Sequence, residues 1–208
     1  MSLTRDNKTL AAEHVLPLLE QLSPIPKKEF AHFETRLKFF RVKRGEFLTR
    51  AGEVADRVGF VVTGLFRKVH VTPQGKAIVR GFGGPGTVVG AYVSLLTGAP
   101  SYLSVEALRD SELFVLQWSE LNALYARHSS FQTVGRRLAE LTLLEREARA
   151  HDLLTLSASE RYARFQQSHR QILPYLRNYD IASYLGITPV SLSRLRARRA
   201  AGKASKTK

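Results

Sequence analysis

Residues 178–199 read NYDIASYLGITPVSLSRLRARR, and this segment constrains the fold more than any other in the chain. Two helices that cross at close range need a small residue at the crossing and a residue tolerant of positive φ in the turn. They also need apolar side chains that pin the second helix to the first. Ala182, Gly186 four residues on and Leu192 six further fill those slots, with Ile181, Leu185, Ile187, Val190 and Leu195 as apolar partners. The helix ends agree with this. Asp180 is expected to cap the first helix and Gly186 to close it. Thr188 caps the second, and Pro189 takes its first position, where a missing N–H costs nothing.

The solvent face of the second helix then carries Ser191, Arg194 and Arg198, flanked by Ser193 and Arg196. A guanidinium can meet guanine O6 and N7 with two hydrogen bonds, and a serine hydroxyl can meet base edges or phosphates. The pattern is that of a DNA-binding helix-turn-helix. Its candidate contact residues are Thr188, Pro189, Ser191, Ser193, Arg194, Arg196, Arg198 and Lys203. Charge points the same way. Residues 157–208 hold 11 Lys or Arg against Glu160 and Asp180, so this quarter of the chain carries +9 of the net +14. That concentration is the footprint of a polyanion-binding module, although a solvated basic tail has the same charge. Residues 202–208, GKASKTK, are expected to form a flexible tail that touches phosphates without reading bases.

Upstream the texture differs. Apolar residues at helical spacing (Leu10, Val15, Leu18, Leu19, Leu22, then Phe30, Phe33, Leu37) predict two short helices around a turn at Pro24 and Pro26. Residues 39–117 are short Val, Phe, Leu, Tyr and Thr runs divided by Gly45, Gly52, Gly64, Gly75, Gly86, Gly90 and Gly98, the turn spacing of an antiparallel β-roll. Trp118 opens a short helix with Ser119 as its cap. A longer helix follows from about Ser130 to Asp152, with Val134, Leu138, Leu141, Leu144 and Ala148 on one stripe. That stripe suits either a dimer seam or packing on the chain's own roll. Ser157 and Glu160 form a capping box that starts a new helix. The fold class is therefore α+β, in three parts: residues 1–128 a β-roll sensor with flanking helices, 129–156 a long dimerisation helix and hinge, and 157–208 the helix-turn-helix domain.

This order of parts resembles the cyclic-AMP receptor protein and fumarate-nitrate reductase regulator (Crp–Fnr) superfamily. The resemblance rests on residues 181–189 and 191–194 in the tail. In the roll it rests on Gly45-Glu46-Phe47, Gly64-Leu65-Phe66-Arg67 and the run from Gly86 to Gly90. It implies a cytoplasmic homodimeric transcription regulator acting on a palindromic double-stranded operator, with RNA polymerase as a further partner. It also implies a cyclic-nucleotide-binding-like pocket, for which Gly90, Ala91, Tyr92, Ser101, Tyr102 and Arg146 are the effector candidates. The family's cassette holds a ribose hydroxyl with glutamate and the cyclic phosphate with arginine. In register with Gly90 and Val105, this chain offers Ala91 and Ser101, and Tyr102 where the family has a small hydroxyl residue. Burying an anion without a counter-charge is costly, so cyclic AMP in the usual pose is not expected. With nine residues following Arg199, the family's β-hairpin wing is not expected either.

Other chemistries are weakly represented. With no cysteine, thiolate metal sites and thiol redox sensing are excluded. The six histidines are scattered with no ligand spacing, so no metal is expected; no cofactor is expected either, His14 as a haem ligand being the one candidate. No Ser-His-Asp arrangement or phosphate loop is evident, so an enzyme is not expected. There is no apolar run of membrane-spanning length and no secretory signal. The rival reading is a ligand-binding signalling module, cyclic-nucleotide-domain-like or haem-based, whose C-terminal helices make protein contacts.

Overall fold

The computed structural model describes residues 5–204, with side chains from Asn7 to Arg199. Compactness divides the chain into two units, the first being residues up to His70 with Arg80–Leu143, the second Val71–Val79 with the residues from Leu144 onward.

The first unit opens with α1 (Arg5–His14), α2 (Leu16–Glu20) and α3 (Lys27–Glu34). Two helices were expected and three are found. Pro17 sits in the first turn of α2, where its missing N–H ends the ladder of α1 without loss to α2. Ala11, Val15, Leu19, Phe30 and Phe33 are buried.

Eight strands follow: β1 (Lys38–Val42), β2 (Phe47–Thr49), β3 (Arg57–Thr63), β4 (Phe66–Val71), β5 (Ala77–Gly83), β6 (Val88–Val89), β7 (Ser104–Ala107) and β8 (Ser111–Gln117). They form two four-stranded sheets in the orders β1-β8-β3-β6 and β2-β7-β4-β5. Strand β3 pairs antiparallel with β8 and β6. Its residues Val58 to Val62 are buried without alternation, because both of its faces are covered. One face meets the helices, where the Phe60 ring lies edge-on to Phe33 at 5.7 Å and Phe33 stacks on Phe131 at 5.2 Å. Both sheets feed one core that includes Phe66, Val105, Leu113 and Phe114.

Between strands lies α4 (Tyr92–Thr97), and after β8 come α5 (Trp118–Arg127) and α6 (Ser129–Thr155). Gln117, not Ser119, caps α5: its extended backbone turns the strand directly into the helix, which leaves Trp118 at the first helical position. On α6 the apolar stripe changes character along its length. Phe131 and Val134 are buried on the roll, whereas Leu141, Leu144 and Ala148 are exposed.

The second unit holds the C-terminal part of α6, then α7 (Ala158–Ser168), a 3₁₀ turn (Leu173–Tyr175), α8 (Asn178–Leu185) and α9 (Pro189–Ala204). The Ser157–Glu160 capping box is present in both directions. The carboxylate of Glu160 is held below its usual pKa by the Ser157 hydrogen bonds. Tyr162, Phe165, Leu176, Ile181, Ala182, Leu185 and Leu192 form the buried interior. Within this unit Ser183 Oγ accepts from the Val79 N–H and donates to the Ala77 carbonyl, both at 2.9 Å.

Candidate nucleic-acid interface

Helices α8 and α9 build the bihelical element, and local chemistry explains its shape. Gly186 has φ +70° and closes α8, a conformation that L side chains adopt only at a cost. Its N–H binds the Ser183 carbonyl and the Ile187 N–H binds the Ala182 carbonyl. Thr188 Oγ1 accepts from the Ser191 N–H at 3.1 Å, so it caps α9, whose first residue is Pro189. Ala182 and Leu192 are fully buried, as the small and the pinning residue of such a crossing must be.

One expected cap differs. The helix α8 starts at Asn178 with Arg177 as its N-cap, and Asp180 lies in its first turn with no exposure. The Asp180 and Ile181 amides both reach the Arg177 carbonyl, so the helix begins one turn early. Its carboxyl group then belongs to the first turn, at the positive end of the helix.

Thr188, Pro189, Ser191, Ser193, Arg194 and Arg198 are all exposed, and Ser191, Arg194 and Arg198 recur at helical spacing along one side of α9. Arg196 is placed differently. Its Nε donates to the Tyr162 hydroxyl at 2.9 Å and its Nη1 to Asn178 Oδ1 at 2.6 Å, so this guanidinium is engaged inside the domain rather than on the outer side. Arg199 Nη1 reaches Gln166 Oε1 at 3.1 Å. Lys203 lies within α9, which continues through Gly202 to Ala204 where a flexible tail was expected. Lys206 and Lys208 lie outside the described residues. Behind the element, His169 stacks on Phe165 at 4.4 Å and meets Tyr184 at 5.3 Å. Burial holds this imidazole below its usual pKa.

The effector candidates lie on three stretches of chain, at Gly90–Tyr92, at Ser101–Tyr102 and at Arg146. Ala91 is buried at the N-cap of α4, and Gly90 packs against Leu95 and Val58. Ser101 is buried with its polar atoms committed to its own loop and to the turn between β2 and β3: its N–H binds the Glu53 carbonyl, its carbonyl accepts from Gly52, and its hydroxyl binds the Leu103 carbonyl at 2.7 Å and accepts from the Leu103 N–H. Tyr102 is 45% exposed, with its ring beside His70, whereas Tyr92 lies beside Trp118. Arg146 is exposed on the part of α6 that belongs to the second unit. Sequence reasoning missed Ser94, a buried hydroxyl that accepts from the Ala55 N–H at 2.9 Å and donates to the Ala99 carbonyl at 2.6 Å, which fixes this loop. His14 is exposed at the end of α1. No group of three or more His, Cys, Asp or Glu that could hold a metal occurs among the described residues, and none of their helices is long and apolar enough to cross a membrane.

Residues 39–128 match the cyclic nucleotide-binding domain family, which the β-roll therefore resembles. Among curated relatives, lysophospholipase nte1 of Aspergillus niger is 27% identical over 114 residues, 55% of this chain, and the match spans only 7% of its length. Transcriptional regulatory protein btr of Bordetella pertussis is 28% identical over 173 residues, 76% of this chain and 69% of the relative. In structure, the chain resembles FixK2 from Bradyrhizobium japonicum, with a TM-score of 0.70 at 22% identity over 80% of this chain and 86% of that one. A transcriptional regulator of the crp/fnr family from Eubacterium rectale gives 0.69 at 15% identity, over 89% and 88%. Over 80–89% of its length the chain matches the fold of these two proteins, which agrees with its resemblance to the Crp–Fnr superfamily.

Proposed function

We propose that the chain is a sequence-specific, double-stranded-DNA-binding transcription regulator of the Crp–Fnr type. One observation carries this reading: a capped helix, pinned by Leu192 across a Gly186 turn, turns Ser191, Arg194 and Arg198 to solvent on one side. Arg194 and Arg198 read guanine edges. Thr188, Pro189, Ser191 and Ser193 meet bases or phosphates at the start of the helix, and Lys203 adds charge in its last turn. The names of the Bordetella pertussis relative and of the Eubacterium rectale structure, both transcriptional regulators, agree with it.

The regulator works as a cytoplasmic homodimer. Leu141, Leu144 and Ala148 continue the stripe whose first half is buried, and a second copy of α6 is the occupant that such a seam fits. Two-fold symmetry then sets a palindromic operator. The signal is something other than cyclic AMP in the usual pose, since Ala91 and Ser101 bring neither an acceptor for the ribose nor a charge for the phosphate. Selection of bound duplexes from a random pool tests the proposal. The expected outcome is an inverted repeat with half-sites about one helical turn (roughly 34–36 Å) apart. A pool that stays random would refute it and favour the reading in which the C-terminal helices contact protein.

A further inference from the structure

The buried side of α9 stops being apolar half-way along. Leu192 and Leu195 begin its stripe, and the helical period puts residues 196 and 199 next on the same side. Both are arginine. The Tyr162 ring, in a residue only 4% exposed, receives them: the Arg196 and Arg199 guanidinium carbons lie 5.5 and 5.7 Å from its centroid. Arg196 is fixed further by two hydrogen bonds that leave in different directions, one to the Tyr162 hydroxyl on α7 and one to Asn178 Oδ1 at the start of α8. Arg199 is held by Gln166, one turn after Tyr162 on α7.

We propose that Tyr162 and Asn178 are positioning residues for DNA reading: through Arg196 they fix the pitch of α9, and so the direction in which Arg194 and Arg198 project. The inference rests on the function proposed above and deepens it. A guanidinium has a planar set of donors, so two acceptors on two different helices define its orientation in a way that an apolar contact does not. Since the donors of Arg196 are taken up within the domain, the residue makes no direct phosphate contact and acts on specificity through the pose of α9.

The test compares a duplex selected by the full-length wild-type chain with a random-sequence duplex, by titration at several salt concentrations. Tyr162→Phe and Asn178→Ala, separately and together, are expected to weaken binding to the selected duplex by about tenfold while leaving the random duplex within about twofold. Arg196→Leu should leave the salt slope unchanged, because no phosphate contact is lost. Combining Arg196→Leu with Tyr162→Phe should restore part of the preference, since no buried tyrosine hydroxyl is then left without its arginine partner. If the two duplexes weaken in parallel, the residues matter only for folding and the proposal fails. It fails also if neither duplex weakens, or if Arg196→Leu makes the slope shallower by about one unit, which would place that charge on DNA. Should the wild-type chain select no sequence at all, the function itself falls, an outcome distinct from the others because the variants play no part in it.

Discussion

Gly64 joins β3 to β4 at φ +96°, and a Cβ added there would fall inside the Ser111 side chain and 2.6 Å from the Ser111 Cα. Gly64→Ala therefore carries two penalties. The left-handed backbone costs about 1–2 kcal/mol, and forcing a methyl into filled space costs about 1–3 kcal/mol. Ser111 cannot simply rotate away, because its hydroxyl donates to the Arg109 carbonyl and accepts from the Leu65 N–H, and a backbone atom is among the clashes. The gain from a less flexible unfolded chain returns about 0.4–1 kcal/mol. The net expectation is a loss of about 2–4 kcal/mol. Gly86→Ala is the control: φ is +73° but nothing lies within 4 Å, so only the backbone penalty remains and the loss is about 1 kcal/mol. Urea unfolding at fixed protein concentration, followed by the fluorescence of Trp118 in the first unit, measures both. With a slope of about 2 kcal/mol per molar, the two midpoints should differ by about 1 M. Equal losses would show that the turn, not the contact with Ser111, sets the need for glycine.

His169 supplies a pH dependence. Its folded pKa lies below the ordinary 6.5 because burial disfavours the imidazolium, so its contribution is complete above about 6.5 and is lost as the pH falls from there through the folded value. Melting of the second unit between about pH 7.5 and 5 should show this decline, and His169→Phe, which keeps the stack on Phe165, should flatten it; an unaltered pH profile would contradict the assignment. The wild-type chain should sediment as the proposed dimer and Leu141→Glu with Leu144→Glu as a monomer, since each leucine contributes up to about 1.5–3 kcal/mol when buried. A dimer that persists would place the seam elsewhere. Calorimetric titration with cyclic AMP should give no binding in the low micromolar range, and a dissociation constant there would restore the ordinary family mechanism.

What the sequence made legible was chemistry that acts over a few residues. The Thr188 cap, the Pro189 start, the Gly186 stop and the Ser157–Glu160 box each satisfy a backbone donor or a φ requirement within one turn, so residue type and spacing alone reveal them. The glycine turns of the roll belong to the same class, with positive φ at Gly45, Gly52 and Gly64 among them. Partners distant in sequence were hidden. Nothing near Arg196 announces that Tyr162, 34 positions away, takes its guanidinium, although an arginine on the side of Leu192 and Leu195 was a signal that could have been read. The surroundings of the effector candidates were hidden for the same reason: a register on Gly90 and Val105 gives the order of Ser101 and Tyr102 along the chain, but not the hydrogen bonds that bury the serine or the exposure of the tyrosine. Asp180 misled as a cap because Asp is equally favourable within the first turn of a helix.

The central claim is that the outer side of α9 reads DNA, and Arg194 is its most direct test, being exposed on that side and separate from the Tyr162 clamp. Equilibrium binding of the wild-type chain and of Arg194→Ala should be measured against a selected duplex and against the same duplex altered at each base pair. The account predicts that Arg194→Ala weakens the selected duplex by about 1–3 kcal/mol and removes the preference at one base pair in each half-site, while other positions keep theirs. A variant that binds every duplex as the wild type does would contradict it.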